Sequence, residues 1–166
     1  MVRKCPFLAC RTSRQGRGRN YPTFALSAGP FDLTPIAGEK MPVDLSVPVL
    51  VVEDSRTMCQ IVRNLLMLIG FKHVDAAFDG ASALAKLSQR RYGLVISDWN
   101  MQPMTGQILL ERVRADPELS GTPFIMVTAE ANHANVTAAK AAGASNYIVK
   151  PFTGEILKEK IASVFA

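Results

Sequence analysis

Between Val47 and the C-terminus, five short apolar runs alternate with stretches of helical periodicity, and this alternation constrains the fold more than any other feature of the chain. VPVLVVE (Val47–Glu53), HVDAA (His73–Ala77), LVISD (Leu94–Asp98), PFIMVT (Pro123–Thr128) and NYIVK (Asn146–Lys150) read as strands. The continuous runs suit strands covered on both faces. Helices fall between them. Met58, Ile61, Val62, Leu65 and Ile69 recur at spacings of 3 and 4, and Gly70 closes that helix as a C-terminal cap. Leu84 with Leu87, Leu109 and Leu110 with Val113, and Leu157 with Ile161 and Val164 mark three further apolar faces. The stretch Ala131–Ala142 has Val136 as its only large apolar residue, which predicts the most loosely held helix. Strict βα alternation implies an α/β fold, a doubly wound parallel sheet with right-handed crossovers. Ligands of such sheets bind beyond the carboxyl ends of the strands.

Four of the five runs end in a polar residue: Glu53 with Asp54 next to it, Asp98, Thr128 and Lys150. Parallel strands bring those ends to one rim. Three carboxylates gathered there repel by about 4 kcal/mol per pair at ~4 Å and an effective dielectric of ~20, so the group needs cations. Lys150 supplies one. A hard divalent ion, Mg²⁺, suits a couple of carboxylates, a backbone carbonyl and water, with room for a phosphoryl oxygen. A hydroxyl, a lysine and a metal around one carboxylate are the parts of phosphoryl transfer onto that carboxylate. Singly, a strand-end Asp is more often a turn former or helix cap, a strand-end Thr an ordinary strand residue, and a Lys before Pro a solvated one. Jointly, at the ends of strands one, three, four and five, they are hard to explain as structure alone.

The formal charge of +5 belongs entirely to the first forty residues, which hold seven Lys or Arg against two acids; residues 41–166 balance twelve against twelve. The RTSRQGRGRN stretch lacks periodicity and apolar area, so residues 1–44 are expected to be a disordered basic extension ahead of a domain spanning 45–166. A transit-like peptide, a phosphate-seeking Arg-Gly arm, a solvated tail without a role and translation starting at Met41 are the competing accounts of that extension. Cys5, Cys10 and Cys59 form no CxxC pair, which points to a reducing, cytoplasmic setting. No apolar stretch reaches the ~18 residues that span a bilayer, so no membrane insertion is expected.

Glu53-Asp54, Asp98, Thr128-Ala129-Glu130 and Lys150-Pro151-Phe152 resemble the signature of response-regulator receiver domains, over Val47 to Phe165. SDWNM, MVTAEA, AGAS and VKPFT are similar to the single-domain chemotaxis members of that family. The resemblance implies strand order 2-1-3-4-5 with five helices, and Asp98 as acceptor of phosphate from a sensor histidine kinase. It places Mg²⁺ on Glu53, Asp54, Asp98 and the backbone carbonyl of Asn100, with Lys150 and Thr128 on the phosphoryl oxygens. Tyr147 matches an aromatic that turns inward with Thr128 in the active state. Asn100 and Glu130 fall where the family tunes loss of the phosphate, and their identities imply rapid self-dephosphorylation. His133, Val136, Lys140, Tyr147 and Lys160 would form the partner surface.

Three departures stand out. Glu53 replaces the commoner Asp, Pro103 comes one place late in the loop NMQPMTG, and Thr105 stands where an Asp is common. The Lys150-Pro151 bond is cis in the family.

The chain ends fifteen residues after Pro151, too few for an output domain, so the expected function is a stand-alone response regulator that acts by touching a partner. A flagellar motor switch protein is the first candidate, with a phosphatase as a further partner. The alternative of the same chemistry is a relay or phosphate-sink receiver exchanging phosphate with a histidine phosphotransfer protein. The chain is not expected to be an enzyme beyond its own phosphorylation and dephosphorylation. A metal-dependent phosphatase of small molecules is disfavoured because DWN lacks the DxD pair of haloacid-dehalogenase-type sites and no GxxxxGK[ST] loop exists. Nucleic-acid binding through the basic extension would be salt-sensitive and is a weaker expectation.

Overall fold

The structure, a computed structural model, describes residues 43–129 and 133–166; the side chains of residues 133–135 and all of Glu130 lie outside the described residues. The elements run β1 (Val49–Val52), α1 (Arg56–Ile69), β2 (Val74–Ala77), α2 (Gly80–Gln89), β3 (Leu94–Asp98), α3 (Gly106–Ala115), β4 (Phe124–Thr128), α4 (His133–Ala141), β5 (Asn146–Val149) and α5 (Gly154–Val164). They form one five-stranded sheet in the order β2-β1-β3-β4-β5. Every pairing is parallel. The doubly wound fold expected from the alternation is therefore the fold observed.

Strand alternation sorts the core into two layers. Leu50, Val52, Val95, Phe124 and Met126 point to one face, where Ala83 and Leu87 of α2 and Leu109, Leu110 and Val113 of α3 cover them. Val49, Val51, Leu94, Ile96, Ile125 and Val127 point to the other, under Cys59, Val62 and Leu66 of α1 and Leu157 and Ile161 of α5. Every residue of β1, β3 and β4 is buried, which explains why those runs are continuously apolar. Each fully buried aliphatic side chain contributes about 1.5–3 kcal/mol.

The face of α1 differs from the one the spacing predicts. Ile61 is 47% exposed, while the buried residues are Cys59, Val62 and Leu66. The helix is apolar over more than one stripe, so spacing alone admits two frames. Packing under β1 and β3 selects the frame that contains Cys59. In α4 the weak stripe is real: among the described side chains Val136 is half-buried and the small Ala139 is the buried one.

Side-chain caps bring helix N-termini to the carboxyl end of the sheet. Ser55, Asp79, Thr105 and Thr153 accept hydrogen bonds from the amides of Met58, Ser82, Ile108 and Ile156. At the other end of α1, Gly70 adopts φ 118° and donates to the carbonyls of Leu66 and Met67, as expected of a left-handed cap.

Candidate functional site

The register fixes the rim. Val52 pairs with Ala77 and with Ser97, so Glu53 and Asp98 each follow a paired residue by one position on adjacent strands. Asp98 pairs with Val127 and Thr128 with Val149, which sets Thr128 and Lys150 one step further along on the β4–β5 side. The backbone amide of Lys150 donates to the carbonyl of Thr128 at 2.7 Å and closes that end of the sheet. Sequence reasoning expected these strand ends to converge, and they do.

Glu53, Asp98 and Thr128 are buried, with 4%, 7% and 3% of their surface exposed, whereas Asp54 is exposed. One carboxylate oxygen from each of Glu53, Asp54 and Asp98 lies within 4.8 Å of the others. Lys150 sits between two of them, its Nζ 2.8 Å from Glu53 Oε2 and 2.7 Å from Asp98 Oδ1. Burial raises the Glu53 carboxyl above its ordinary range, the Asp98 charge adds to that, and the hydrogen bond from Lys150 only partly reverses it. For Lys150, burial pulls the ammonium down, but its bonds to Asp98 and Glu53 outweigh burial and the net direction is up. A single lysine thus balances one carboxylate and leaves two.

Hard oxygen donors of this kind fit Mg²⁺, which binds at about 2.1 Å and so spans about 4.2 Å between opposite ligands. The observed spread of up to 4.8 Å is close to that span, within the reach of a small side-chain shift or one interposed water. The residues present therefore fit the ion, including the longer Glu53. Asn100 is exposed on the β3–α3 loop, beside the cluster in sequence.

That loop is held by backbone as much as by side chains. The Trp99 amide donates to the Val127 carbonyl at 2.7 Å, and the Gly106 amide donates to the Trp99 carbonyl at 2.9 Å. A Cβ on Gly106 would overlap the carbonyl oxygen of Asp98 itself, so only glycine permits this approach. Met104 packs its side chain against Gly80 at the start of α2, where an added Cβ would lie 2.6 Å from the sulfur. Thr105, which departs from the common Asp, caps α3. Both Gln102-Pro103 and Lys150-Pro151 are cis; the second was expected.

On the β4–β5 side, Tyr147 is half-buried, and the Lys160 Nζ lies 5.6 Å from its ring centroid. Two of the expected partner-surface residues are therefore in contact, while Lys140 is exposed and Val136 half-buried on α4. His133 belongs to α4, with its side chain outside the described residues. Sequence reasoning missed a feature on the opposite lip, where the Arg56 guanidinium stacks 5.0 Å from the Phe78 ring centroid. The available signal was a cation opening α1 beside an aromatic that follows β2. It also missed Gly106, whose position directly after a capping Thr marked a tight entry into α3.

A parallel 2-1-3-4-5 sheet carrying three acids and a lysine at its carboxyl rim defines the class of signal-receiver modules. Residues 49–162 match the response regulator receiver domain family, and the chain belongs to it. It is similar to the chemotaxis protein CheY of Pseudomonas aeruginosa, 45% identical over 117 residues that cover 70% of this chain and 94% of that protein. It resembles chemotaxis protein CheY-3 of Vibrio cholerae at 44% identity over 120 residues, 72% of this chain and 92% of that one. Among solved structures, the chemotaxis response regulator CheY4 of Vibrio cholerae superposes with a TM-score of 0.67 at 37% identity, covering 72% of this chain and 98% of that chain. The receiver domain of a signal transduction histidine kinase from Syntrophus aciditrophicus gives 0.66 at 28% identity, covering 72% and 90%. Among the described residues, no helix is long and apolar enough to cross a membrane.

Proposed function

We propose that this receiver accepts a phosphoryl group on Asp98 from a histidine of a sensor kinase and thereby switches its affinity for a flagellar motor protein. The observation that carries the reading is the Asp98 carboxylate, buried at the end of β3, gripped by Lys150 and flanked by Glu53 and Asp54. In the transfer, the P–N bond of the phosphohistidine breaks as a P–O bond forms to an Asp98 carboxylate oxygen. Glu53, Asp54, Asp98 and the Asn100 carbonyl would hold Mg²⁺, which would supply charge neutralisation for the phosphoryl oxygens. Lys150 exchanges its contact with Asp98 for one with those oxygens, and the Thr128 hydroxyl turns onto them. Asn100 and Glu130 set how fast water removes the group.

Magnitudes decide how the signal spreads. Each charge-assisted hydrogen bond contributes about 1.5–3 kcal/mol, whereas moving a population from about 1:99 to 99:1 takes about 5.5 kcal/mol. One contact is too weak; Thr128 and Lys150 together supply about 3–6 kcal/mol, which reaches the required figure at its upper end. Tyr147, lying on the strand that Lys150 ends, follows Thr128, and the shift reaches His133, Val136, Lys140 and Lys160. The chemotaxis relatives favour the motor as partner and a cytoplasmic location.

The test is Mg²⁺-dependent binding of beryllofluoride, a phosphoryl stand-in, followed through Trp99 fluorescence. Wild type responds and Asp98→Asn does not; an equal response in both overturns the assignment. Capture of the motor protein only after treatment with acetyl phosphate completes it. A second reading, a relay or sink receiver serving a histidine phosphotransfer protein, is favoured by the likeness to a kinase-borne receiver. Phosphate flowing back to a histidine domain without motor capture would select it.

A further inference from the structure

The lip of the site on the β2 side holds a cation that the reading above does not use. Arg56 opens α1, two residues after Asp54, and its guanidinium stacks on Phe78, the residue directly after β2. The Glu53 amide donates to the Ala77 carbonyl at 3.0 Å, so Phe78 emerges beside the acid cluster. Phe78 is 41% exposed and Arg56 is exposed, which makes the pair a wall at the mouth and not part of the core. Among the described residues Arg56 forms no ion pair, in contrast to Lys150, which is committed to Glu53 and Asp98.

We propose that Arg56 determines specificity among phosphodonors, drawing dianionic small molecules such as acyl phosphates to the mouth of the site, with Phe78 as the positioning residue that holds it there. Electrostatics makes the need plain. Three carboxylates and one ammonium leave the site with a formal charge of minus two, which one Mg²⁺ brings to zero, so the rim itself offers a donor no net attraction. A donor with two negative charges gains more from an added cation at that mouth than a donor with one. The guanidinium beside the entrance supplies that cation, and the ring under it favours the rotamer that stays clear of Asp54. Cation–aromatic stacking at an exposed site is worth enough to bias a rotamer without immobilising it.

The reaction itself is ordinary acyl-phosphate transfer. With acetyl phosphate, the P–O bond to the acetyl group breaks, a P–O bond to Asp98 forms, and acetate leaves with the electron pair and no proton. With phosphoramidate, which carries one net negative charge near neutral pH, the P–N bond breaks and the nitrogen, already protonated, leaves as ammonia. The two donors deliver the same group to the same atom and differ by one charge. One unit charge acting on one further unit at ~8 Å in water changes a rate about two- to threefold, and less at high ionic strength.

The inference rests on Asp98 being the acceptor, so the experiment reports the two separately. Phosphorylation rates with each donor in Mg²⁺ are compared for wild type, Asp98→Asn, Arg56→Gln and Phe78→Leu, at low and high salt, with phosphoaspartate located by mass spectrometry. Wild-type labelling at Asp98 by both donors, absent in Asp98→Asn, upholds the acceptor; labelling elsewhere removes it and this proposal with it. Given that, the ratio of acetyl phosphate to phosphoramidate rates is expected to fall about two- to threefold in Arg56→Gln, with loss of most of its salt dependence. Phe78→Leu is expected to lower the ratio in the same direction by less. An unchanged ratio in Arg56→Gln, whether or not both rates move together, overturns the role. Arg56→Lys, which keeps the charge, restores most of the ratio, and a failure to do so would also count against it. As a readout independent of transfer, the urea midpoint of Arg56→Gln stays at the wild-type value.

Discussion

Two ionic clusters in this molecule each join a cation to carboxylate, and their characters are opposite. At the carboxyl rim, Lys150 lies between Glu53 and Asp98, with side chains 18%, 5% and 8% exposed. On the edge strand β2, Asp75 meets Arg90 at 3.1 Å, with side chains 37% and 47% exposed, and accepts a second hydrogen bond from the Tyr92 hydroxyl at 2.8 Å. The edge cluster is balanced, since one carboxylate faces one guanidinium and one phenol. The rim cluster is not, since its lysine serves two buried acids with a third beside them. Balanced and wet, the first is a strap between β2 and the segment after α2. Unbalanced and largely buried, the second carries two carboxylate charges that its lysine does not offset. Burial and imbalance together separate a functional cluster from a structural one, more than residue type does.

The sharpest way to break this contrast is Lys150→Met without Mg²⁺. Removing the lysine leaves Glu53 and Asp98 buried and uncompensated, and urea unfolding should show a loss of about 3 kcal/mol. The loss should shrink in acid, where Glu53 takes up a proton. A loss no larger than that of Arg90→Ala would end the distinction. Next in size is the ion itself: Mg²⁺ at ~100 times its dissociation constant should stabilise wild type by about 2.7 kcal/mol, with much less gain in Asp98→Asn. Equal gains would place the ion elsewhere.

The edge cluster supplies the smaller effects. Burial, reinforced by the hydrogen bond to Asp75, pushes the Tyr92 phenol up to about 12. A phenol that holds its proton in the fold beyond the point where the unfolded chain releases it contributes its stability in full below pH 10, and that contribution drains as pH rises toward 12. Ultraviolet titration should find a tyrosinate step near pH 12 that Tyr92→Phe abolishes, at a cost of about 1 kcal/mol below pH 10. Smallest of all, Arg90→Ala should cost under about 1 kcal/mol and lose even that in high salt. A salt-independent loss there would show the strap to be drier than its exposure suggests.

Much of this was legible in the sequence. The continuous runs in β1, β3 and β4 announced strands buried on both faces, and their polar last residues announced the rim, because parallel strands leave no other place for them. Gly70 signalled its cap. The α1 face was illegible for a definite reason: Met58, Cys59, Ile61, Val62, Leu65 and Leu66 satisfy two helical frames, and only the position of the sheet decides between them. The Arg56–Phe78 stack joins residues on neighbouring elements, and no local pattern encodes that meeting. Met104 against Gly80 is hidden similarly, since it depends on how the loop after β3 leans toward α2.

The approach of Gly106 to the Asp98 carbonyl carries an evolutionary consequence. Every missense change that one nucleotide can make to a glycine codon adds at least a Cβ, and here that carbon has nowhere to go. Mutational drift at this codon is therefore closed to every residue one such change can reach, unless the strand end that carries Asp98 moves with it. Lineages that lose receiver chemistry should be free to vary there, while those that keep it should not.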